Sequence, residues 1–150
     1  MRLTHAKRAG LTAVESALVY PVTFLLILGL LIGAAGIFRY QEVASLARRG
    51  ARYAIVHGTQ YAKENGKPAA TPEDIYNTAI APYAVCLDSA HLSYAVTYNK
   101  SNEVFASSIV NGDVVGTRNT VSVTVSYEWI PQLFFPKVTL SSTSVMPMSY

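Results

Sequence analysis

From Ser16 to Phe38 the chain runs 23 residues without a charge, and between Arg8 and Arg39 the only charged residue is Glu15. As an α-helix that charge-free run is roughly 34 Å long at 1.5 Å per residue. The hydrocarbon core of a bilayer is about 30 Å thick, so the run is long enough to cross it once. Two other readings of it stay open. A buried core helix would be unusual, because such helices rarely run this long without a polar face. A cleaved secretory signal would have an apolar region of about 7–15 residues followed by a small-x-small cleavage site, which Gly33-Ala34-Ala35-Gly36 imitates.

Glu15 is the costly residue of this stretch. A carboxylate near the end of a membrane helix needs water, a partner or a function. One account is interfacial: an acid in the first turns favours the helix dipole and still reaches solvent. Its surroundings suggest more. A basic segment containing Arg2, Lys7 and Arg8 leads to Gly10, and Glu15 follows Gly10 by five residues, directly before the apolar run. This resembles the layout of a prepilin-type signal, which implies a cut between Gly10 and Leu11 with the apolar segment retained.

The run Gly10-Leu-Thr-Ala-Val-Glu15, then Ala17-Leu-Val-Tyr-Pro21, and beyond the span Ala47-Arg-Arg-Gly-Ala-Arg-Tyr-Ala54 resemble the TadE-like family, the pseudopilins or minor pilins of tight-adherence (Flp-type) pilus systems. Val121–Tyr127 and Leu140–Met146 are similar to its closing strands, whereas the middle of the chain carries no resemblance. Ser16 departs from the aromatic that usually follows the glutamate. The resemblance implies a structural pilus-assembly component, processed by a prepilin peptidase after Gly10, with other pilin or pseudopilin subunits and inner-membrane assembly proteins as partners. It places the N-terminus in the cytoplasm and the C-terminal domain outside a single-pass inner-membrane span. It also implies that Glu15 pairs with an amino terminus during assembly. It marks Arg48, Gly50, Ala51, Arg52 and Tyr53 as family-motif residues.

Charge alone does not orient the chain. Arg2, Lys7 and Arg8 precede the span, but Arg39, Arg48, Arg49 and Arg52 follow it with only Glu42 among them. The net charge is +3, and the leader's three cations account for all of it, so residues 11–150 are formally neutral. The basic balance is therefore no argument for nucleic acid. One cysteine, Cys86, excludes an intramolecular disulfide; a buried thiol is expected, with an intermolecular link as the alternative.

Within the span, Pro21 removes one hydrogen-bond donor and crowds the carbonyl of Ala17, which membrane helices tolerate. Gly29 and Gly33 form a small-x-x-x-small pair, with Gly36 following, a pattern that lets helices approach closely. Beyond it the helix is expected to continue to Val56. Val43, Leu46, Ala47, Gly50, Ala51 and Ala54 then share one face, and Gln41, Glu42, Ser45, Arg48, Arg49 and Arg52 the other. That amphipathic helix is expected to act as a spine for a sheet. Its arginines suit a solvated face or contact with lipid phosphates.

Gly58 is the expected stop, and 58–70 reads as a loop. Thr71-Pro72-Glu73-Asp74 is a helix start, with a capping hydroxyl, proline in the first turn and two acids at the dipole's positive end. The helix should reach Ile80 and end at Pro82. Leu92–Tyr98, Thr120–Trp129 and Lys137–Met148 read as strands, the second with the clearest alternation. Asn111-Gly112 is a candidate hairpin turn. Pro131–Pro136 is an apolar connection expected to cap the core.

These readings give an α+β protein: a leader at 1–10, a transmembrane helix at 11–38, an amphipathic continuation at 39–57, and a small extracytoplasmic domain at 58–150 with a second helix and a three- to four-stranded antiparallel sheet. His5, His57 and His91 lie far apart, and no zinc-protease, Cys-x-x-Cys, phosphate-loop or Gly-x-Ser-x-Gly pattern occurs. No enzyme, cofactor or metal site is expected. The competing functional reading is an unprocessed single-span protein whose outer domain is a scaffold or partner-binding module. A secreted domain released by signal peptidase is a third.

Overall fold

A computed structural model describes residues 5–110, 113–131 and 136–149, with side chains described over 12–107, 116–131 and 136–149. Residues 1–4 of the expected leader at 1–10, the turn at Asn111-Gly112 and the centre of the Pro131–Pro136 connection lie outside the described residues. The fold is α+β: a long apolar helix, short helices, a three-stranded antiparallel sheet and a separate two-stranded sheet.

The chain divides into two compact units, Met1–Ile37 and Phe38–Tyr150. The first is helix throughout its described part. Helix α1, His5–Val56, is continuous through Pro21, and the Thr23 hydroxyl donates to the Val19 carbonyl 3.0 Å away. Its apolar side chains are uncovered: Leu18 is 72% exposed and Leu30 75%. A helix buried in the core of this chain would have them covered, and among the described residues they are not. The helix is long and apolar enough to cross a membrane.

In the second unit, the end of α1 supplies the stripe expected of it. Val43, Leu46, Ala47, Ala51 and Ala54 are buried, as is Gly50. Strand β4, Thr120–Trp129, lies at the centre of the larger sheet, between β1, Leu92–Tyr98, and β5, Val138–Pro147, in antiparallel order β1-β4-β5. Its alternation is strict: Val121, Val123, Val125 and Tyr127 are buried between half-exposed Ser122, Thr124 and Ser126. Tyr94 pairs with Val125 and Val96 with Val123, so the inward faces of β1 and β4 are in register. Hydroxyls pair across the outer face, Thr124 with Thr143 at 2.8 Å and Ser126 with Ser141 at 2.9 Å. Each fully buried Val, Leu or Ile of this core contributes about 2 kcal/mol.

Two short elements close the core. Helix α3, Pro72–Ile75, begins with the expected capping box: Thr71 Oγ1 accepts from Asp74 N, and Asp74 Oδ2 accepts from Thr71 N. The helix reaches Ile80 as read, but Tyr76–Ile80 is a π-helical turn, followed by a 3-10 turn at Ala81–Tyr83 containing Pro82. The reason lies in Ile75 and Ile80, both fully buried. Five residues apart, they would sit about 140° apart on an α-helix; the wider turn, with Ala81 N donating to the Tyr76 carbonyl, brings both to the core.

Two readings are corrected. The stretch 58–70 is not all loop, because α2 occupies Thr59–Asn65 between Gly58 and Gly66, the latter at φ 63°. A helix of seven residues is too short to show an amphipathic period, and the left-handed conformation that ends it is one glycine adopts freely. Cys86 is exposed, not buried. Its loop follows Pro82 and is held by its backbone instead: Cys86 N donates to Glu42 Oε1, and its carbonyl accepts from Arg39. The strands flanking the candidate turn at Asn111-Gly112 pair as read, β2 at Phe105–Val110 antiparallel with β3 at Asp113–Arg118, in a two-stranded sheet of their own.

Candidate assembly segment and arginine cleft

The sequence-derived residues fall into groups along α1. Gly10 and Leu11 are helical in backbone, and their side chains lie outside the description. Glu15 is exposed, as is Pro21. A β-carbon built on Gly29 or Gly33 would meet nothing within 4 Å, so nothing inside this chain requires glycine at either place. Gly36 is half-exposed on the same helix.

The motif after the apolar run is divided between two environments. Gly50 and Ala51 are in the core, where a β-carbon on Gly50 would stand 3.0 Å from Val123 Cγ1 and 3.2 Å from Ile80 Cδ1. Arg48 and Arg52 are exposed. Tyr53 bridges the two: it packs against the core and stacks on His57, with ring centres 4.0 Å apart and planes 16° from parallel. The stack is pinned by His57 Nδ1, 3.0 Å from the Tyr53 carbonyl.

These outward residues line a cleft of about 600 Å³ between α1 and the Tyr76–Tyr83 segment. Arg48, Arg49 and Arg52 form one wall, with Ser45, Tyr53, His57, Thr78 and Tyr83 around them. The Arg49 guanidinium lies over the Tyr83 ring, 4.2 Å from its centre, a geometry in which the ring's negative face attracts the cation. Among the described residues the ion pairs are Lys63 with Glu103, His91 with Glu128 and Lys137 with Glu128; none involves these arginines.

Three groupings were not legible beforehand. Arg39 donates to Tyr127 Oη at 3.1 Å and lies near the faces of Tyr127 and Trp129. Tyr127 and Trp129 are two apart on β4, so alternation places them together, but no spacing links them to a residue 88 positions earlier. Asn119, just before β4, is buried; its amide donates to Ser101 Oγ at 3.0 Å and to the Glu103 carbonyl at 2.9 Å. Tyr83 pairs with Arg49 only because the Pro82 turn carries it back to α1. Glu128 is held below the usual carboxylate range, first by its hydrogen bond with Lys137 and by that ammonium's charge. Burial pushes the Tyr98 phenol up. Among the described residues no three His, Cys, Asp or Glu side chains gather into a group that could hold a metal ion.

The order of features along α1, an exposed acid, an exposed apolar run with unfilled glycines, then a small-residue stripe under a sheet, is that of a membrane-anchored helix serving as the spine of a small α+β domain. Residues 10–52 of this helix match a family model described as TadE-like protein. The resemblance read from Gly10–Glu15 and Ala47–Arg52 therefore holds across that segment, and it associates the chain with tight-adherence pilus systems. The match ends at Arg52, before any strand. Neither a curated protein nor a solved structure matches the chain.

Proposed function

We propose that this protein is a minor pilin or pseudopilin of a tight-adherence pilus, a structural assembly component with no catalytic role. The observation that carries the reading is the TadE-like match over residues 10–52, which includes the Gly10-Leu11 bond, Glu15, the apolar run and the Arg48–Arg52 motif. In this reading a prepilin peptidase cuts after Gly10. The helix of residues 11–38 anchors the protein in the inner membrane with its N-terminus in the cytoplasm. Residues 39–57 continue it as a spine, and residues 58–150 form the extracytoplasmic domain. Two physical facts support an assembly role. The apolar side chains of α1 are uncovered in the single chain, so lipid or neighbouring helices must cover them. Gly29 and Gly33 have no packing reason within the chain, whereas close helix–helix approach in lipid or a filament core supplies one.

Mass measurement of the protein from its native membrane tests the reading. Loss of residues 1–10 is expected. An intact N-terminus would favour the unprocessed single-span scaffold, and loss of the whole apolar run a secreted domain. Replacing Gly10 with a bulky residue should leave a full-length membrane-bound precursor, because a side chain there collides with a narrow peptidase site. If that variant is still shortened by ten residues, the cleavage assignment is wrong.

A further inference from the structure

We infer that the cleft formed by Arg48, Arg49, Arg52 and Tyr83 is a phosphate-binding site. Three features of it point the same way. All three arginines line one concavity of about 600 Å³, within the range of small-ligand sites. None of them is paired with a carboxylate among the described residues. Arg48 and Arg52 are four residues apart on α1, and Arg49 and Arg52 three. Like charges at both spacings repel on a helix, so the arrangement works against the folded state unless an anion joins it.

The ligand class follows from the donors. Guanidinium is a planar fork that engages two oxygens of a phosphate at once. Three forks on one wall suit a group with several equivalent oxygens better than a single planar carboxylate. Ser45 and Thr78 lie in the same lining and add neutral hydroxyl donors. Arg49 is already held over the Tyr83 ring at 4.2 Å, which reduces the ordering cost of one fork on binding. A soluble phosphate and a phospholipid headgroup present the same chemistry. This inference does not depend on whether the protein enters a pilus.

The test uses the full chain in maltoside micelles, which carry no phosphate. Phenylglyoxal modification of each arginine is followed by peptide mass spectrometry, with Arg118 as the internal reference. Either inorganic pyrophosphate or phosphatidylglycerol is then added. Modification of Arg48, Arg49 and Arg52 should slow at least fivefold while Arg118 is unchanged. Protection by pyrophosphate alone assigns a soluble ligand, and protection by the lipid alone assigns a headgroup. In the variant R48Q/R52Q, whose altered side chains are exposed, protection of Arg49 should require at least tenfold more ligand, with a ligand-free melting temperature no lower than that of wild type. No protection in either arm, or equal slowing at Arg118, overturns the proposal.

Discussion

Gly50 on α1 and Val123 on β4 approach so closely that a β-carbon at position 50 would stand 3.0 Å from Val123 Cγ1. Here the central strand meets the helix, and the residue that allows it is the one in the Arg48–Tyr53 motif without a side chain. Gly50→Ala would gain about 1 kcal/mol of helix propensity. Against that, Val123 is fully buried and β-branched, so it cannot turn aside cheaply. We expect Gly50→Ala to lower stability by about 1 kcal/mol net and Gly50→Leu by about 3 kcal/mol or more. Thermal unfolding of the full chain in detergent checks both. A higher melting temperature for Gly50→Ala would mean that the contact relaxes and the glycine is not required by packing.

The same position shows what patterning could and could not reveal. The small-residue stripe from Val43 to Ala54 and the period-two run from Thr120 to Trp129 each name one face of one element. Each has only one apolar face to bury, so their packing together was foreseeable. The π turn was not, because it answers a tertiary demand: Ile75 and Ile80 must both reach a core built by other elements. Helix α2 was missed because seven residues carry too few turns for a period. The arginine cleft was half legible. Arg48, Arg49 and Arg52 could be placed on the outward face, but Tyr83 joins them through a turn whose geometry no local pattern specifies.

Asn119 shows how a single amide can secure a junction. Its side chain donates to Ser101 Oγ and the Glu103 carbonyl, its N–H donates to the Val104 carbonyl, and its own carbonyl accepts from Met148 N at 2.8 Å. These bonds bind the segment before β2, the start of β4 and the C-terminal end of the chain. Asn119→Ala removes two donors from a buried site and should cost about 2 kcal/mol. Asn119→Asp should cost more at neutral pH, because an ionised carboxylate would face the Glu103 carbonyl with no proton to donate. Its deficit should shrink on acidification, as protonation restores a donor. Equal melting temperatures for Asn119→Asp and wild type at pH 7 would refute the account.

Asp74 gives a pH dependence of known sign. Its carboxyl is held below its ordinary value of 3.8, first by the side-chain hydrogen bond from Thr71 and then by the one from the Thr71 backbone. A group whose folded pKa is depressed stabilises the fold above its unfolded pKa, and that contribution is lost as pH falls through the folded value. The capping contribution should therefore be complete above about pH 4 and fade below it. Asp74→Asn should flatten this part of the acid limb, and Thr71→Ala should cost about 1 kcal/mol at neutral pH. Melting curves between pH 2 and pH 6 for the three proteins decide it; an unchanged acid limb in Asp74→Asn would remove the cap from the explanation.

Glu15 is the sharpest test of the assembly reading. If the chain is cut after Gly10, Leu11 carries a new α-amino group four residues from Glu15. In a filament core both charges would lie among apolar helices, where an unpaired charge is costly. The amino terminus of the same chain or of a neighbour is the available partner. Pairing between neighbours would penalise a wrong stagger and draw an incoming subunit into register. Glu15→Gln keeps the size and the hydrogen-bonding capacity while removing the charge. We expect it to be cleaved and inserted normally but to enter filaments about tenfold less well than wild type, equivalent to about 1.4 kcal/mol. The measurement is the ratio of the two forms in sheared pili against membranes when they are co-expressed. Cleavage and pairing then separate cleanly: a Gln variant that is processed yet excluded supports the charge pair. One that is processed and incorporated in proportion reduces Glu15 to an exposed acid beside an apolar run, where access to water is enough to account for it.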